Sequence, residues 1–482
     1  MTITSALNAA QSGLRVTGLR ADVVATNVAN ATTPGYVRRS INIGELLVGG
    51  QTAGVVSNGI IRNQDDFQVA QRRNLSSDIG QANVLASTFE ALSNRVGNGT
   101  DDNGLFGAFS EFETALSNAV AAPESAPQAS ALLNAANQLT NELNALSETA
   151  TALRAEADRE IAFGVSTVNA ALERVQELNV QIAGSDRSTN EAAALVDERQ
   201  RQLDTIAEFL PIQTVERSAG RVDVYTAEGV VLLAGEARQI EFNQQETFPP
   251  GLSIEDGTLS GLTVDGIEIT PGAQAYGAIS SGVFGGLFQL RDQDLPTFSS
   301  QLDTIAETLI NRLSDDSIDP TKTPGEPGLF IAQPTPLGAG FAGRISVNPL
   351  VDPAQGGEIF RLRDGLGATA SGPPGGNSIL SSIFDAFTAV EGINENGLFG
   401  SFSVTELSAQ FSSIVGQNRI SQDAVLTATT QQFDAVVSAE QAESGVDIDA
   451  QLQDLLAVEQ AYAANARVVQ VASDLLNRLI EL

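Results

Sequence analysis

The chain has 482 residues, with 26 Lys and Arg against 59 Asp and Glu, and its formal net charge is −33. It has no Cys and no His, which excludes disulfides, thiolate nucleophiles, Ser-His-Asp catalysis and zinc sites built on Cys or His. The negative charge argues against binding to nucleic acid or to anionic membrane surfaces. The sequence has no run of about 18 apolar residues, so no membrane insertion is predicted.

The start of the sequence carries no basic region, because the first charged residue is Arg15. A cleaved secretory signal peptide is therefore not expected. Export by a route that needs no cleaved signal stays open. The length predicts about three domains at ~150 residues each.

Residues 2–31 are predicted to form one amphipathic helix. Apolar or small side chains recur along it at spacings that alternate between four and three residues, as in the seam of a coiled coil. Only one member of this seam, Thr17, is polar. The seam positions are Ile3, Leu7, Ala10, Leu14, Thr17, Ala21, Val24 and Val28.

The segment after this helix begins with a turn. In the sequence Thr33-Pro34-Gly35-Tyr36, Pro and Gly stand at the positions that a type II turn prefers. Short extended pieces are expected at 36–43 and 54–61. A second helix is predicted over 64–96.

The strongest helical signal lies at 126–183. Apolar side chains again alternate at four and three residues, from Leu132 to Ile182, with one irregular step at Leu153-Ala157-Ile161 that locally unwinds a supercoil. A helix of this length spans ~85 Å, which is typical of elongated rods rather than compact enzymes. A further helix is predicted over 190–209.

The pattern then changes to strands. Residues 211–282 are rich in β-branched residues with Gly at turn positions, which predicts β structure. Residues 314–375 are rich in Pro and Gly, with a short strand at Arg344–Val347. Helices are predicted between and after these segments, at 286–313, 376–391 and 403–441.

The sequence therefore predicts a mainly α fold with inserted β structure. We expect an elongated, multi-domain chain with coiled-coil-like terminal helices, a long helical bundle as its body and an outer β domain. The expected terminal helical core comprises 1–62 and 448–482. The expected helical body comprises 63–210, 285–313 and 376–447, and the expected outer β-rich domain or domains comprise 211–284 and 314–375.

The end of the chain repeats the design of its beginning. A helix is predicted over 448–480, with a seam of the same spacing in which Asn465 is the polar exception that could fix the register. The two terminal stripes can bury themselves against each other or against other subunits, and the pattern alone favours the first arrangement. The second seam consists of Leu455, Val458, Tyr462, Asn465, Val469, Ala472, Leu476 and Leu479.

Three candidate chemical motifs are weak. Gly338-Ala-Gly340-Phe-Ala-Gly343 is followed by a strand rather than the helix that dinucleotide binding needs. Asp101-Asp102-Asn103-Gly104 resembles the start of a calcium loop, but Leu105 and Phe112 occupy ligand positions. Acidic pairs at 65–66, 292/294 and 315–316 suggest solvated surface rather than a glycosidase. No catalytic residue, cofactor or metal site is predicted.

Two motifs at the two ends of the chain carry a resemblance. Asn27-Val-Ala-Asn30-Ala-Thr-Thr33-Pro34-Gly35-Tyr36-Val-Arg38-Arg39 resembles the N-terminal signature of bacterial flagellar axial proteins of the rod, hook and hook–filament junction. Ser444-Gly-Val-Asp-Ile448 and the segment Leu455–Arg467 resemble their C-terminal signature. The segments 191–199 and 281–294, together with the long helix at 126–183, are similar to the junction members of that family.

This resemblance implies a structural protein of the flagellum, not an enzyme. It implies export through the flagellar type III apparatus and assembly as a short ring of copies between hook and filament. The expected partners are the hook protein, the third hook-associated protein and an export chaperone that contacts the C-terminal helix. The terminal helices would form the inner core tube, and the β domains would face outward.

The resemblance also reverses the choice made from the pattern alone. It implies that the terminal seams pack against neighbouring subunits and that both ends are disordered in the isolated chain. The expected subunit-packing seam is Ile3, Leu7, Ala10, Leu14, Val24, Val28, Leu455, Val458, Tyr462, Asn465, Val469, Ala472, Leu476 and Leu479, and the expected family motif is Asn27, Asn30, Thr33, Pro34, Gly35 and Tyr36. Two alternatives remain, namely another flagellar axial protein (hook or distal rod) and an acidic surface enzyme that acts on polysaccharide.

Overall fold

The computed structural model describes residues 3–48, 51–97, 103–186, 188–332 and 339–480. Asp101, Asp102 and Gly338, which belong to two of the weak motifs, lie outside this range. The helices are α1 (Ile3–Ala29), α2 (Asp66–Val96), α3 (Gly104–Ala121), α4 (Ala126–Gly184), α5 (Asn190–Phe209), α6 (Gly282–Gln289), α7 (Leu295–Ser314), α8 (Arg361–Asp364), α9 (Ser378–Thr388), α10 (Val404–Ser444) and α11 (Ile448–Ile480).

Five small antiparallel sheets accompany these helices in the described residues. Two of these sheets lie in the middle of the chain, with strand orders β3-β4-β5-β6 and β7-β8-β9. The other three have two strands each. The strands are β1 (Arg39–Val48), β2 (Gln51–Arg62), β3 (Ile212–Glu216), β4 (Val222–Thr226), β5 (Val231–Ala234), β6 (Glu236–Ala237), β7 (Ile240–Glu241), β8 (Thr263–Val264), β9 (Ile267–Glu268), β10 (Phe330–Ala332), β11 (Ile345–Val347), β12 (Glu391–Glu395) and β13 (Leu398–Phe402).

The two ends of the chain form one unit. Helices α1 and α11 pack against each other, and the β1–β2 hairpin packs along α1. The hairpin pairs Arg39 with Arg62 at its base and shifts register after Asn42 and after Leu46. We call α1, the hairpin and α11 the terminal unit.

The helix α4 joins two hydrophobic cores. Its first half, from Leu132 to Ala150, packs with α3, α7, α9 and the beginning of α10 in the first core. Its second half, from Ala157 to Val175, packs with α5, α6 and strands β3–β8 in the second core. The irregular step that the sequence shows at 153–161 coincides with the change from one core to the other.

Buried charge separates the two cores on α4. Arg291 is fully buried and donates to Asp158 Oδ1 at 2.7 Å and to Asp292 Oδ1 at 2.9 Å. Arg154 donates to the Arg291 backbone carbonyl at 2.9 Å. Arg291 lies in a single π-helical turn, Leu290–Asp294, that links α6 to α7.

The structure differs from the sequence-based expectations in several places. Helix α3 was not predicted, and the hairpin β1–β2 is longer than the two short extended pieces expected there. The two β-rich segments lie in different cores and share them with helices, since 211–284 packs on the second half of α4 and 314–375 on the first. The division into a helical body and an outer β domain remains a prediction.

Candidate subunit-assembly site

The two terminal helices run antiparallel at close range. The Asn465 side chain approaches Gly13 so closely that a Cβ on Gly13 would lie only 2.8 Å from its amide atoms. The absence of a side chain at Gly13 therefore allows the contact. Arg20 forms an ion pair with Asp454 at 3.1 Å. These contacts show that α1 and α11 of one chain pack together, which is the arrangement that the stripe pattern alone favoured.

The structure buries the predicted seam unevenly. Ala10 and Val24 of α1 and Val458 and Ala472 of α11 are buried. Tyr462 is 52% exposed, and the side chain of Leu479 lies outside the described residues. The remaining seam residues, Ile3, Leu7, Leu14, Val28, Leu455, Asn465, Val469 and Leu476, are half-buried. Their role in packing between subunits remains a prediction.

Asn27 connects three parts of the terminal unit. Its side-chain amide donates to the Arg39 carbonyl at 2.9 Å and to Gln451 Oε1 at 2.8 Å. Its Oδ1 accepts from the Tyr36 hydroxyl at 2.8 Å and from the Arg39 backbone N–H at 3.0 Å. Asn27 is 1% exposed, so these four bonds satisfy an amide that would otherwise be costly to bury.

The turn predicted at 33–36 is confirmed. The Tyr36 N–H donates to the Thr33 carbonyl at 3.1 Å, and Gly35 has a φ of 74°, a value that favours glycine. Asn30 supports the turn locally, since its backbone carbonyl accepts from the Thr33 N–H at 2.9 Å and its side-chain oxygen accepts from the Thr33 hydroxyl at 3.3 Å. Pro34 and Gly35 are exposed, so this part of the motif is available to a neighbour.

The Tyr36 ring packs beneath a cation. The Arg39 guanidinium lies 4.8 Å from the ring centroid, within cation–π range. Burial raises the pKa of the Tyr36 hydroxyl, while the charge of Arg39 opposes that change. Tyr36 therefore stays neutral and keeps its hydrogen bond to Asn27.

Asp197 of α5 fastens the hairpin to the body. It accepts from Arg39 Nη2 and from Arg62 Nε, both at 2.8 Å, and the side chains of Asp197 and Arg39 are each 4% exposed. Sequence reasoning quoted the 191–199 segment only as a point of resemblance and missed this role. The hairpin pairs Arg39 with Arg62 at its base and so places both cations beside one carboxylate. The register of the hairpin, which the sequence analysis did not predict, is the information that was needed.

Two further arginines, Arg38 and Arg72, contact the end of α10. The Arg38 N–H donates to the Ser444 carbonyl at 2.8 Å, at the point where α10 ends. Arg72 of α2 pairs with Glu440 at 2.7 Å and with Asp204 at 3.0 Å. The Arg38 bond joins the segment before β1 to the end of α10, and the Arg72 pairs join α2 to α10 and α5.

A groove of about 940 Å³ runs between α1 and the hairpin. Its walls combine apolar side chains such as Leu19 and Val56 with the charged residues Arg15 and Asp22. Ser12 lines the groove, and its hydroxyl accepts from the Val55 N–H at 3.1 Å. Gly54 makes this approach possible, since a Cβ there would lie 2.1 Å from Ser12 Oγ.

Helix α11 leaves much apolar surface uncovered. The exposed residues are Ile448, Leu452, Leu456, Tyr462, Val468, Val471 and Leu475. A helix that is buried on one side and apolar on others is typical of an element that has a further partner.

The described residues hold no group of three or more metal-ligating side chains. The acidic pairs have structural contacts, since Asp65 caps α2, Asp292 pairs with Arg291 and Asp316 pairs with Lys322. No helix in the described part of the chain is long and apolar enough to cross a membrane.

Comparison with known proteins finds family matches in the helical middle of the chain and at its C-terminal helix. Residues 89–328 match the family model of the flagellar hook-associated protein FlgK helical domain, and residues 441–482 match the C-terminal model of the flagellar basal body rod FlgEFG proteins. Together these matches cover more than half of the chain.

Two relatives are similar over their whole length. Flagellar hook-associated protein 1 of Bacillus subtilis (strain 168) is 24% identical over 98% of this chain and 96% of its own. The protein of the same name from Escherichia coli (strain K12) is 21% identical over 100% of both chains. The solved structure of the flagellar hook junction protein FlgK from Burkholderia pseudomallei has a TM-score of 0.44 and 18% identity, over 55% of this chain and 46% of its own. On the two family matches and the full-length relatives, the chain belongs to the family of flagellar hook-associated protein 1.

Proposed function

We propose that this protein is a structural component of the bacterial flagellum that joins the hook to the filament and assembles through its N- and C-terminal helices. The observation that carries this proposal is the match of residues 89–328 to the helical domain of hook-associated proteins, together with a terminal unit that exposes apolar surface. The protein acts outside the cell, at the hook–filament boundary, after export through the flagellar type III apparatus.

Its partners are copies of itself in a short ring, the hook protein on one side and the third hook-associated protein on the other. An export chaperone binds the C-terminal helix before assembly. The exposed apolar side chains of α11 support both interactions, because a chaperone would cover before export the surface that subunits cover afterwards.

The proposal favours a junction protein over a hook or distal-rod protein. The long α4 helix lies within the segment that matches the hook-associated helical domain, whereas the FlgEFG-type match is confined to 441–482. The proposal assigns no enzymatic activity, and no observation favours the polysaccharide-acting alternative.

A proline in α1 tests the proposal. Leu14→Pro removes a helical hydrogen bond and costs about 3 kcal/mol of helix stability, so we expect a strain carrying it to lose swimming and to shed filaments. Leu14→Met is the matched control, because it keeps a strong helix former with an apolar side chain of similar volume, and it should swim normally. Fluorescent labelling should place the unaltered protein at the hook–filament boundary. Normal swimming by Leu14→Pro, or labelling elsewhere, would contradict the proposal.

A further inference from the structure

The groove side of α1 carries two charges without a partner. Arg15 and Asp22 lie seven residues apart, two helical turns, so they share one face of the helix. Both are exposed, and neither has an ion-pair partner within the described part of the chain. Leu19 stands between them and is 42% exposed. Along this face of α1, a cation, an apolar side chain and an anion therefore follow one another in chain order.

Helix α11 carries a matching series with the same spacing. Arg467 and Asp474 also lie seven residues apart, are exposed and lack an ion-pair partner among the described residues. Val471 stands between them and is 58% exposed. Val468 and Leu475 flank the series with further exposed apolar surface.

The two series complement each other when the helices run antiparallel. Arg15 then lies opposite Asp474, and Asp22 lies opposite Arg467, which forms two ion pairs. Leu19 and Val471 meet between them and bury apolar surface. The repeat of seven residues on both helices keeps all three contacts on one seam.

The chain's own α11 does not make these contacts. It occupies another side of α1, where Gly13 meets Asn465 and Asn27 meets Gln451. That register places Arg15 opposite the region of residue 463 rather than opposite Asp474. Helix α11 of the same chain therefore leaves the groove open.

We propose that α11 of a second copy of this chain docks antiparallel along the groove between α1 and the β1–β2 hairpin, through Arg15–Asp474, Leu19–Val471 and Asp22–Arg467 contacts. This inference rests on the proposed function and names the contact that joins one copy to the next. Groove and helix are different surfaces of the same chain, so each copy offers both. Such head-to-tail contacts repeat into a ring or a helical array rather than closing as a dimer.

Charge exchange tests the two ion pairs. A groove variant carries Arg15→Glu and Asp22→Arg, and a helix variant carries Arg467→Glu and Asp474→Arg. Each variant alone places like charges opposite each other, so we expect loss of the protein from the hook–filament boundary and loss of swimming. The chain that carries all four substitutions restores both. Glu160→Arg, at an exposed position of α4 away from both surfaces, is the control and leaves assembly unchanged. Normal assembly of either double variant, or no rescue by all four substitutions, overturns the proposal.

Cross-linking tests the geometry without relying on charge. The chain has no cysteine, so Leu19→Cys with Val471→Cys introduces the only two thiols. Oxidation of isolated hook–junction preparations should give a ladder of dimers, trimers and larger products from the double variant and none from either single variant. Leu19→Cys with Phe163→Cys, whose second position is exposed on α4, is the control and gives no ladder.

The outcomes separate this inference from the proposed function. Absence of the unaltered protein from the hook–filament boundary refutes the proposed function. Correct placement without a ladder refutes the docking inference alone. Dimers from Leu19→Cys by itself would indicate groove-to-groove contact and also overturn it.

Discussion

At the scale of single residues, a few buried polar side chains hold the ends of the chain to its body. Asn27 of α1 makes four hydrogen bonds, of which one is to the turn, two are to β1 and one is to α11. Asp197 receives both arginines at the base of the hairpin. Groups of this kind specify one arrangement, because any other arrangement would leave a buried polar atom unpaired.

Asp197 provides a sharp test of this view. Asp197→Asn leaves the Arg39 and Arg62 guanidiniums without a buried counter-charge, and we expect a loss of about 3–5 kcal/mol in the stability of the terminal unit. Glu198→Gln is the matched control next to it, because its ion pair with Arg201 is partly exposed and is expected to matter by about 0–1 kcal/mol. Urea denaturation of both variants measures the difference, and equal midpoints would contradict the assignment.

Substitution of Asp294 is predicted to raise the stability of the folded chain, in contrast to substitution of Asp197. Burial raises the pKa of Asp294 above its ordinary value of 3.8, with a partly compensating hydrogen bond from Gln289. The folded chain therefore binds this proton more tightly than the unfolded chain. Ionised Asp294 lowers stability above its folded pKa, and the penalty disappears as the pH falls below 3.8. Asp294→Asn should accordingly raise the urea midpoint at neutral pH.

The pH dependence of this difference is the measurement. The gain from Asp294→Asn should shrink as the pH falls and vanish in acid. Asp315 is the control, because hydrogen bonds from Ser317 lower the pKa of its carboxyl and Asp315→Asn should bring no gain at neutral pH. A gain from Asp294→Asn that persisted unchanged in acid would contradict the argument.

At the scale of elements, α4 contributes to both hydrophobic cores, and the spacing of its apolar residues changes where the helix passes from one core to the other. The side chains before Leu153 face one core and those after Ala157 face the other. Between them lie Arg154, Asp158 and Arg291, a layer of charge within an otherwise apolar helix surface. Buried ion pairs add little net stability but penalise alternative packings strongly.

A double-mutant cycle tests this ionic layer. Arg291→Met leaves Asp158 without a counter-charge and should cost about 3–5 kcal/mol. Asp158→Leu should cost less, because Arg291 keeps its ion pair with Asp292. The variant with both substitutions should lose less than the sum of the two single losses, since it removes both charges. Urea unfolding of the four proteins gives the coupling energy. Simple additivity of the two losses would contradict a direct interaction.

At the scale of the whole molecule, the body and the terminal unit differ in how completely they are covered. The body encloses two apolar cores on α4. The terminal unit buries one side of α11 and leaves apolar residues exposed on others. A region with fewer buried apolar contacts opens at lower free energy, so the two parts should differ in dynamics before assembly.

Hydrogen exchange of the dilute, isolated chain measures this difference. We expect the amides of α1 and α11 to exchange much faster than those of the middle of α4, and to become protected on assembly as neighbouring copies cover them. The expectation that both ends are disordered in the isolated chain remains a prediction that the same experiment tests. Terminal helices as protected as α4 in the dilute chain would contradict it.

The local pattern of the sequence predicted most of the long helices and one turn. The heptad-like seams located α1, α4 and α11, and the Pro-Gly pair located the turn that follows α1, because periodicity and backbone preference are local properties. Helix α3 was missed although its buried apolar side chains recur at helical spacing, at Leu105, Ala108, Phe109, Phe112, Ala115, Leu116 and Ala119.

The sequence by itself determined the helical character of this chain, its terminal stripes, its lack of thiol and imidazole chemistry and the family resemblance at its two ends. Only the tertiary structure decided that α1 and α11 pair within one chain, that Asp197 joins Arg39 to Arg62, and that Arg291 lies between two cores. These are contacts between residues far apart in sequence. They depend on how elements pack in three dimensions, which a local spacing rule does not encode.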